Sequence, residues 1–140
     1  MTQLLPFENF LTRHFVFSMA VISDEKPYSA PCFYVYVPKD KEMIFVSDSS
    51  SKHIKAALAN LDIAGSVYLE TEVVQEIQGV QFCGRLVSLS KEEMKDSCRL
   101  FCDRFPYARV KDTPVWRLRL NWIKFTDHTR GFGFKELWPT

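Results

Sequence analysis

A hydroxyl-rich turn in the first half of the chain carries the residues best suited to bind a ligand. The segment 45–53 reads FVSDSSSKH and joins an apolar run to a helical pattern. Amide groups at a helix start lack intrahelical partners and carry partial positive charge, so they bind anions. The hydroxyl, ammonium and imidazole groups that would meet an anion there belong to Ser47, Ser51, Lys52 and His53. These residue types at this position predict a phosphate site.

A simple helix cap is the alternative explanation of the same turn. In that case one serine caps the helix and Lys52 points to water. An exposed lysine at a helix start is unfavourable by about 0.3–1 kcal/mol, and a bound phosphate would reverse that effect. Spacing alone leaves both explanations open.

Other groups that could carry chemistry show weaker patterns. The four cysteines, at positions 32, 83, 98 and 102, include no CxxC pair. Cys98 and Cys102 stand one helical turn apart, where a metal could bind, but a buried core stripe explains them better. His14 falls in a helical pattern and His128 in a turn, so only His53 lies in a polar neighbourhood. No nucleotide-binding glycine motif, HExxH or GxSxG occurs, and any chemistry is therefore expected to come from a bound cofactor.

Length and charge narrow the class of protein. A chain of 140 residues predicts a single domain over 1–140. Lys and Arg number 18 against 17 Asp and Glu, whereas a nucleic-acid binder usually has a basic excess. The apolar run 15–22 is too short to span a bilayer, which favours a cytoplasmic protein without membrane contact. We interpret the local basic residues as a solvated face: Arg104, Arg109, Lys111, Arg117 and Arg119.

The first half of the chain predicts two helices and three strands. Phe7, Phe10, Leu11 and His14 recur at helical spacing, with Pro6 suited to the first turn. Strands are expected over 15–23, 28–37 and 43–47, and a turn at 24–27 joins the first two. The helix after the hydroxyl-rich turn is expected to bury Ile54, Ala57, Leu58 and Leu61.

The second predicted strand is apolar on both faces. Tyr34 and Tyr36 point one way, and Phe33, Val35 and Val37 point the other. An antiparallel sheet usually wets one of its faces. We therefore expect one face to fill a barrel and the other to meet a helix or a second subunit.

The second half predicts one helix and four strands. Strands are expected over 63–69 and 77–89, and the Ser90–Glu93 capping box opens a helix that Pro106 ends. Alternation from Trp116 changes phase near Trp122, which indicates a β-bulge. A last strand carries Phe132, Phe134 and Trp138. The fold predicted is mainly β, a small antiparallel barrel of about six to seven strands with about three flanking helices.

This order of elements resembles the FMN-binding split barrels of the pyridoxamine phosphate oxidase-like superfamily. In that family the segment after the third strand holds the FMN phosphate, and Ser47, Ser51, Lys52 and His53 fall on it here. Four further segments resemble its compact, uncharacterised YhbP-type bacterial branch, and the first contains Gln81: GVQF at 79–82, RFPYAR at 104–109, PVW at 114–116 and IKFTD at 123–127. The resemblance implies FMN as cofactor, bound in part by Gln81, and a homodimer with the flavin at the subunit boundary.

The sequence departs from the oxidases at two places. Their second strand supplies Arg and Lys to the flavin phosphate, whereas residues 29–35 read SAPCFYV. Their chain ends in an Arg-containing motif, whereas this one ends ELWPT. Oxidation of pyridoxamine phosphate is therefore not expected. The hypothesis is an FMN-dependent oxidoreductase of unknown substrate; the alternatives are a non-catalytic dimeric module for haem, another anionic ligand or a partner protein, and a structural protein with an empty pocket.

Overall fold

Seven antiparallel strands form one sheet that closes on itself. The structure is a computed structural model that describes residues 3–106 and 113–140. Its helices are α1 (Pro6–Arg13), α2 (Lys52–Ala59) and α3 (Lys91–Arg104), with short 3₁₀ turns at Val74–Glu76 and His128–Arg130. Its strands are β1 (Val16–Ser23), β2 (Lys26–Val37), β3 (Glu42–Val46), β4 (Asp62–Tyr68), β5 (Gln78–Val87), β6 (Val115–Asp127) and β7 (Lys135–Trp138).

The long strand β6 closes the ring. The strand order is β3-β2-β1-β4-β5-β6-β7, and β3 also pairs with the first part of β6. Six strands therefore form a closed barrel, and β7 pairs with the second part of β6 beyond the ring. The predicted mainly β split barrel, with about six to seven strands and about three helices, is confirmed: the described residues form seven strands and three α-helices.

A β-bulge in β6 separates the part of the strand that pairs with β3 from the part that pairs with β7. Cys83 pairs with Trp122 and Gly84 pairs with Leu120, so Asn121 is the extra residue. The bulge predicted near Trp122 is thus confirmed. A Cβ on Gly84 would lie 2.6 Å from the carbonyl oxygen of Arg119, so the close approach of β5 and β6 here requires glycine.

Aromatic side chains fill the barrel. Phe17 lies edge-on to Tyr34 and Phe45, with ring centroids 5.9 and 5.4 Å apart. Helix α1 packs against this core through Phe7, Phe10 and Leu11, all of which are buried. The predicted burial of the first helix is confirmed at these three positions.

Helix α3 covers part of the outer face of β2. Val35 and Val37 pack against a cluster formed by Ile44, Phe101 and Val115. Phe33 lies on the same face of β2, beyond this cluster, and is 54% exposed. The expectation that both faces of β2 are covered therefore holds for the barrel interior and for the half of the outer face that α3 reaches.

Two apolar residues differ from their predicted environments, and a third from its predicted element. Leu58 is 52% exposed because α2 contacts the barrel through Ile54, Ala56 and Ala57. Leu61 lies beyond the end of that helix but packs against the core as predicted. Phe132 is 85% exposed because it lies in the turn before β7 rather than in the strand.

The basic residues do not all form a solvated face. Arg117 is buried, and its guanidinium bonds to Glu42 at 3.0 Å and to the Ser97 hydroxyl at 2.7 Å. Arg119 is exposed and pairs with the same glutamate. Arg109 and Lys111 lie outside the described residues.

Candidate functional site

The turn between β3 and α2 is fixed by its own hydrogen bonds. The Trp116 indole N–H donates to the Ser47 carbonyl at 2.9 Å. The Asp48 carbonyl accepts from the Ser51 amide at 3.0 Å, and the Asp48 carboxylate accepts from the Ser50 amide at 2.8 Å. Bonds from Ser50 hold the pKa of Asp48 below its ordinary value. The turn therefore presents the start of α2 in one defined conformation.

No side chain caps the start of α2. Ser51 occupies the N-cap position, but its hydroxyl donates to the Asp48 carbonyl at 2.7 Å and accepts nothing from the helix. The first turn of α2 contains no acidic residue, and its first residue is Lys52. The serine cap considered as the alternative is therefore absent, and the first amides of α2 remain without a side-chain acceptor among the residues described.

Ser47 and His53 form a polar pair beside this helix start. The Ser47 hydroxyl lies 2.9 Å from Nε2 of His53 and 3.7 Å from the Cys32 sulfur. Burial lowers the pKa of His53 and raises the pKa of the Cys32 thiol. The Ser47–His53 pair can accept a hydrogen bond. Once His53 is protonated, the positive charge of its imidazole can attract an anion.

Lys52 reaches across to the barrel rather than simply into water. Its ammonium lies 4.6 Å from the centre of the Tyr28 ring. Lys52 and Lys55 line a groove of about 430 Å³ together with Ser50 and Asp24. Two lysines thus line one open groove beside the start of α2.

Gln81 lies apart from the hydroxyl-rich turn, on the outer face of β5. It pairs with Ser66 on β4 and Lys124 on β6, and it lines a groove of about 380 Å³ beside Trp122. Within the described residues it makes no hydrogen bond to the turn. The structure therefore brings Ser47 and His53 into contact, places Ser51 and Lys52 next to them, and leaves Gln81 on a separate strand.

A trough connects the two regions across the outer face of β1, β4 and β5. A central groove of about 470 Å³ shares Ile22 with the Lys52 groove, and shares Ala20, Ala64 and Cys83 with the Gln81 groove. Small side chains form its floor because the central outward positions of β1 and β4 carry alanine or serine: Ser18, Ala20, Ala64 and Ser66. We call this continuous surface the outer trough.

Sequence analysis missed several residues of this site. Tyr28 beneath Lys52, Cys32 beside Ser47 and Trp116 on the Ser47 carbonyl are each distant in sequence from the turn. The sequence did contain a signal for the trough, because small residues alternate along both strands. In the structure Ser18 pairs with Ser66, and Ala20 pairs with Ala64. Alternating small residues on two strands indicate a surface that another molecule can approach closely.

Two classes of site are not found in the described part of the chain. Residues 3–106 and 113–140 contain no group of three or more His, Cys, Asp or Glu side chains that could hold a metal ion. They also contain no helix long and apolar enough to cross a membrane.

Comparison with solved structures defines the class. The heme binding protein of Mycobacterium smegmatis superposes with a TM-score of 0.75 at 14% identity, over 98% of this chain and 59% of that one. A FAD-binding protein from Mesorhizobium loti gives 0.63 at 19% identity, over 87% and 94%. A putative pyridoxamine 5'-phosphate oxidase from Listeria innocua gives 0.66 at 8% identity, over 82% and 90%. The chain therefore has the split-barrel fold of these proteins.

Comparison of sequences gives the family within that class. The chain is 36% identical over 138 residues to a UPF0306 protein of Cronobacter sakazakii, covering 99% of this chain and 96% of the relative. It is 33% identical over 138 residues to the UPF0306 protein YhbP of Salmonella arizonae, covering 99% and 94%. The chain belongs to the UPF0306 family, as its YhbP-like segments predicted. No family model matches the sequence.

Proposed function

We propose that this protein binds FMN, with the flavin phosphate held at the start of α2 and the outer trough available to the ring. The observation that carries the proposal is the uncapped helix start, which opens beside two lysines at one end of that trough. Backbone amides and ammonium groups are the partners that a phosphate dianion requires. FMN would supply two-electron redox chemistry, and the protein would be an oxidoreductase whose substrate the sequence does not name.

The hydrogen-bond donors at the start of α2 fit a phosphate, but β2 adds no basic side chain to them. Lys52, the Ser47–His53 pair and the free amides of α2 provide donors on one side. The β2 residues beside these donors are Tyr28 and Cys32, and residues 29–35 of the strand include no Arg or Lys. Each missing charge-assisted hydrogen bond removes about 1.5–3 kcal/mol. We therefore expect weaker FMN affinity than a site with basic residues on both sides, and we do not propose pyridoxamine phosphate oxidation.

The known ligands of similar folds support this choice of cofactor class. One structural neighbour is named as FAD-binding, and another as a putative pyridoxamine 5'-phosphate oxidase. Two others are named as haem proteins, which favours the second candidate, a dimeric module that binds haem without turnover. The visible spectrum of the purified protein separates oxidised flavin from haem.

Dimerisation is the second part of the proposal. The outer trough is bordered by Ile22, which is 50% exposed, and by Trp122, which is 38% exposed. Exposed apolar surface around a flat floor of small residues is typical of an interface. A second copy on this face would enclose the trough between two subunits.

A titration with FMN tests the cofactor. We expect Lys52→Ala to weaken FMN binding by about 1.5–3 kcal/mol, roughly ten- to over a hundred-fold, because it removes a charge-assisted contact. The melting temperature of the ligand-free protein should change little, since Lys52 is exposed. Lys39→Ala, an exposed lysine in the turn between β2 and β3, is the matched control and should bind FMN as the wild type does.

The outcomes separate the parts of the proposal. Equal affinity of wild type and Lys52→Ala would remove Lys52 from the site while leaving a flavoprotein. No FMN binding by the wild type would contradict the flavin proposal and favour the non-catalytic module. Crystals grown with FMN should show its phosphate touching Ser51 or Lys52, and density only elsewhere would move the site.

A further inference from the structure

Three polar side chains, those of His53, Ser47 and Cys32, contact one another where β3 leads into α2. Nε2 of His53 lies 2.9 Å from the Ser47 hydroxyl, and the same hydroxyl lies 3.7 Å from the sulfur of Cys32 on β2. The Trp116 indole bonds to the Ser47 carbonyl at 2.9 Å, which holds the backbone of Ser47 in place. Ser47 and His53 are half-buried, whereas Cys32 is buried. We call these three residues the His53 cluster.

The protons of the His53 cluster decide whether Ser47 can donate to a ligand. A hydroxyl has one proton to donate and two lone pairs that accept. Burial raises the pKa of the Cys32 thiol, so the thiol keeps its proton and can donate to one lone pair of Ser47. When Nε2 of His53 carries a hydrogen, it donates to the other lone pair, and the hydroxyl proton is left for an outside acceptor. When Nε2 carries none, it accepts the hydrogen bond of the hydroxyl, and Ser47 has no proton to offer a ligand.

We infer that His53 is a positioning residue of the phosphate site: it takes up a proton from water when a phosphate binds, and it thereby makes the Ser47 hydroxyl a donor to a phosphate oxygen. A neutral imidazole carries its hydrogen on either nitrogen, whereas a protonated ring carries one on both, so protonation makes Nε2 a donor. This inference rests on the proposed phosphate site at the start of α2. It adds that the site binds a phosphate monoester and a proton together.

The direction of the coupling follows from the surroundings of His53. Burial lowers its pKa, so the ring is neutral at pH 7 in the free protein. A phosphate dianion beside the ring favours the charged form and raises that pKa. Phosphate affinity should therefore gain from His53 as the pH falls through the pKa of His53 in the complex.

Other ionisable groups near α2 do not replace His53 in this role. Within the described residues, burial is the cause that lowers its pKa, and no neighbouring carboxylate offsets it. β1, which packs against α2, carries no ionisable side chain. Hydrogen bonds from Ser50 lower the pKa of Asp48 and keep it ionised. The ionisable groups on the turn, on α2 and on the nearby part of β2 are Asp24, Tyr28, Cys32, Asp48, Lys52 and Lys55.

FMN titrations between about pH 8 and about pH 5 test the inference. FMN loses charge over this range, because the second pKa of a phosphate monoester is about 6. The informative quantity is therefore the affinity of the wild type divided by that of His53→Gln, since both proteins meet the same ligand and glutamine cannot be charged. We expect this ratio to rise by at least about fivefold towards the lower pH.

Two controls belong to the FMN titrations. Riboflavin has the flavin ring without the phosphate, so its affinity ratio should stay constant with pH. His128→Gln changes an exposed histidine whose Nδ1 bonds to the Val74 carbonyl at 2.8 Å, and its affinity for FMN should follow that of the wild type at every pH. Thermal melts show that each variant is folded.

An NMR titration of the His53 ring measures the same coupling with inorganic phosphate. Saturating phosphate should raise the pKa of His53 towards or above its ordinary value of 6.5, and chloride at equal ionic strength should not. Ser47→Ala removes the hydroxyl and keeps the carbonyl that Trp116 contacts. The rise caused by phosphate should be smaller in this variant, because His53 acts through the hydroxyl.

The outcomes separate this inference from the FMN proposal. If FMN binds and the affinity ratio is flat across the pH range, the inference is wrong and the FMN proposal stands. If FMN does not bind but inorganic phosphate raises the pKa of His53, the FMN proposal is wrong and the inference stands. An equal rise in Ser47→Ala and wild type would show that His53 does not act through Ser47. No response to either ligand would contradict both proposals.

Discussion

Arg117 is a buried cation whose charge is compensated mainly by Glu42. The two side chains are 9% and 4% exposed, and Arg117 also bonds to Ser97 on α3. Glu42→Gln removes the nearest negative charge and leaves the buried guanidinium with the more distant carboxylates of Asp40, at 3.4 Å, and Asp96, at 3.8 Å. Removing one partner of a buried ion pair costs about 3–5 kcal/mol. We expect a loss of that size in the free energy of unfolding, measured by urea denaturation.

An exposed ion pair provides the comparison for this variant. Asp62 and Arg85 lie 3.0 Å apart, but their side chains are 73% and 57% exposed. Asp62→Asn should therefore cost no more than about 1 kcal/mol. If Glu42→Gln were equally mild, the Arg117 cluster would not stabilise the attachment of α3 to the barrel.

A titration of stability against pH reports on His53. Burial lowers its pKa from an ordinary value of 6.5, so the unfolded chain takes up the proton at a higher pH than the folded chain. The contribution of His53 to stability is therefore present above pH 6.5 and is lost as the pH falls below it. His53→Gln should lose less stability than the wild type between pH 7 and pH 5. Parallel curves for the two proteins would show that the lowered pKa has no effect.

Individual side chains show where prediction from the sequence reached its limit. Phe132 and Leu58 are apolar at spacings that fit a strand and a helix, and both are exposed. Arg117 alternates with apolar residues as a solvent-facing residue would, and it is buried. Burial depends on which element packs against a strand. Arg117 on β6 is covered by α3, where it contacts Ser97, 20 residues away in sequence. A local pattern contains no information about that contact.

At the scale of elements, two serines before helices make different hydrogen bonds. The Ser90 hydroxyl accepts from the Glu93 amide at 3.1 Å, and the Glu93 carboxylate accepts from the Ser90 amide at 2.9 Å. Ser51 precedes α2 but caps nothing. We expect Ser90→Ala to cost about 0.5–2 kcal/mol and Ser51→Ala clearly less. Thermal melts of both variants measure the difference, and a larger effect at Ser51 would mean that its hydroxyl caps α2 in solution.

The elements themselves were largely predictable, because each has a strong local signal. The Ser90–Glu93 capping box, the phase change near Trp122 and Pro6 at the first helix each correspond to an observed boundary or bulge. The closure of the barrel was harder to predict from the sequence. It depends on pairing β3 with β6, for example Phe45 with Trp116, and such a register is determined by the complete set of strands.

At the scale of the whole molecule, the sequence indicated an interface but not its location. The two apolar faces of β2 and the family resemblance both predicted a second subunit. The structure shows that α3 covers part of β2 and that the flat surface free for a partner lies on β1, β4 and β5. The candidate phosphate site lies at one end of this surface. A partner on the trough would therefore border that site.

Ala64 provides the test of that arrangement, because it lies at the centre of the outer trough. It pairs with Ala20 on one side and Cys83 on the other. Light scattering at micromolar concentration should give twice the 16.3 kDa mass of one chain for the wild type. Ala64→Arg places a long charged side chain on the flat floor of the outer trough. Water can solvate this side chain in a monomer, whereas a dimer would bury it in the interface. We expect this variant to be a folded monomer, whereas Phe132→Arg, at a turn where Phe132 is 85% exposed, should remain dimeric. A dimeric Ala64→Arg would place the interface elsewhere, and a monomeric wild type would contradict the composite site between subunits.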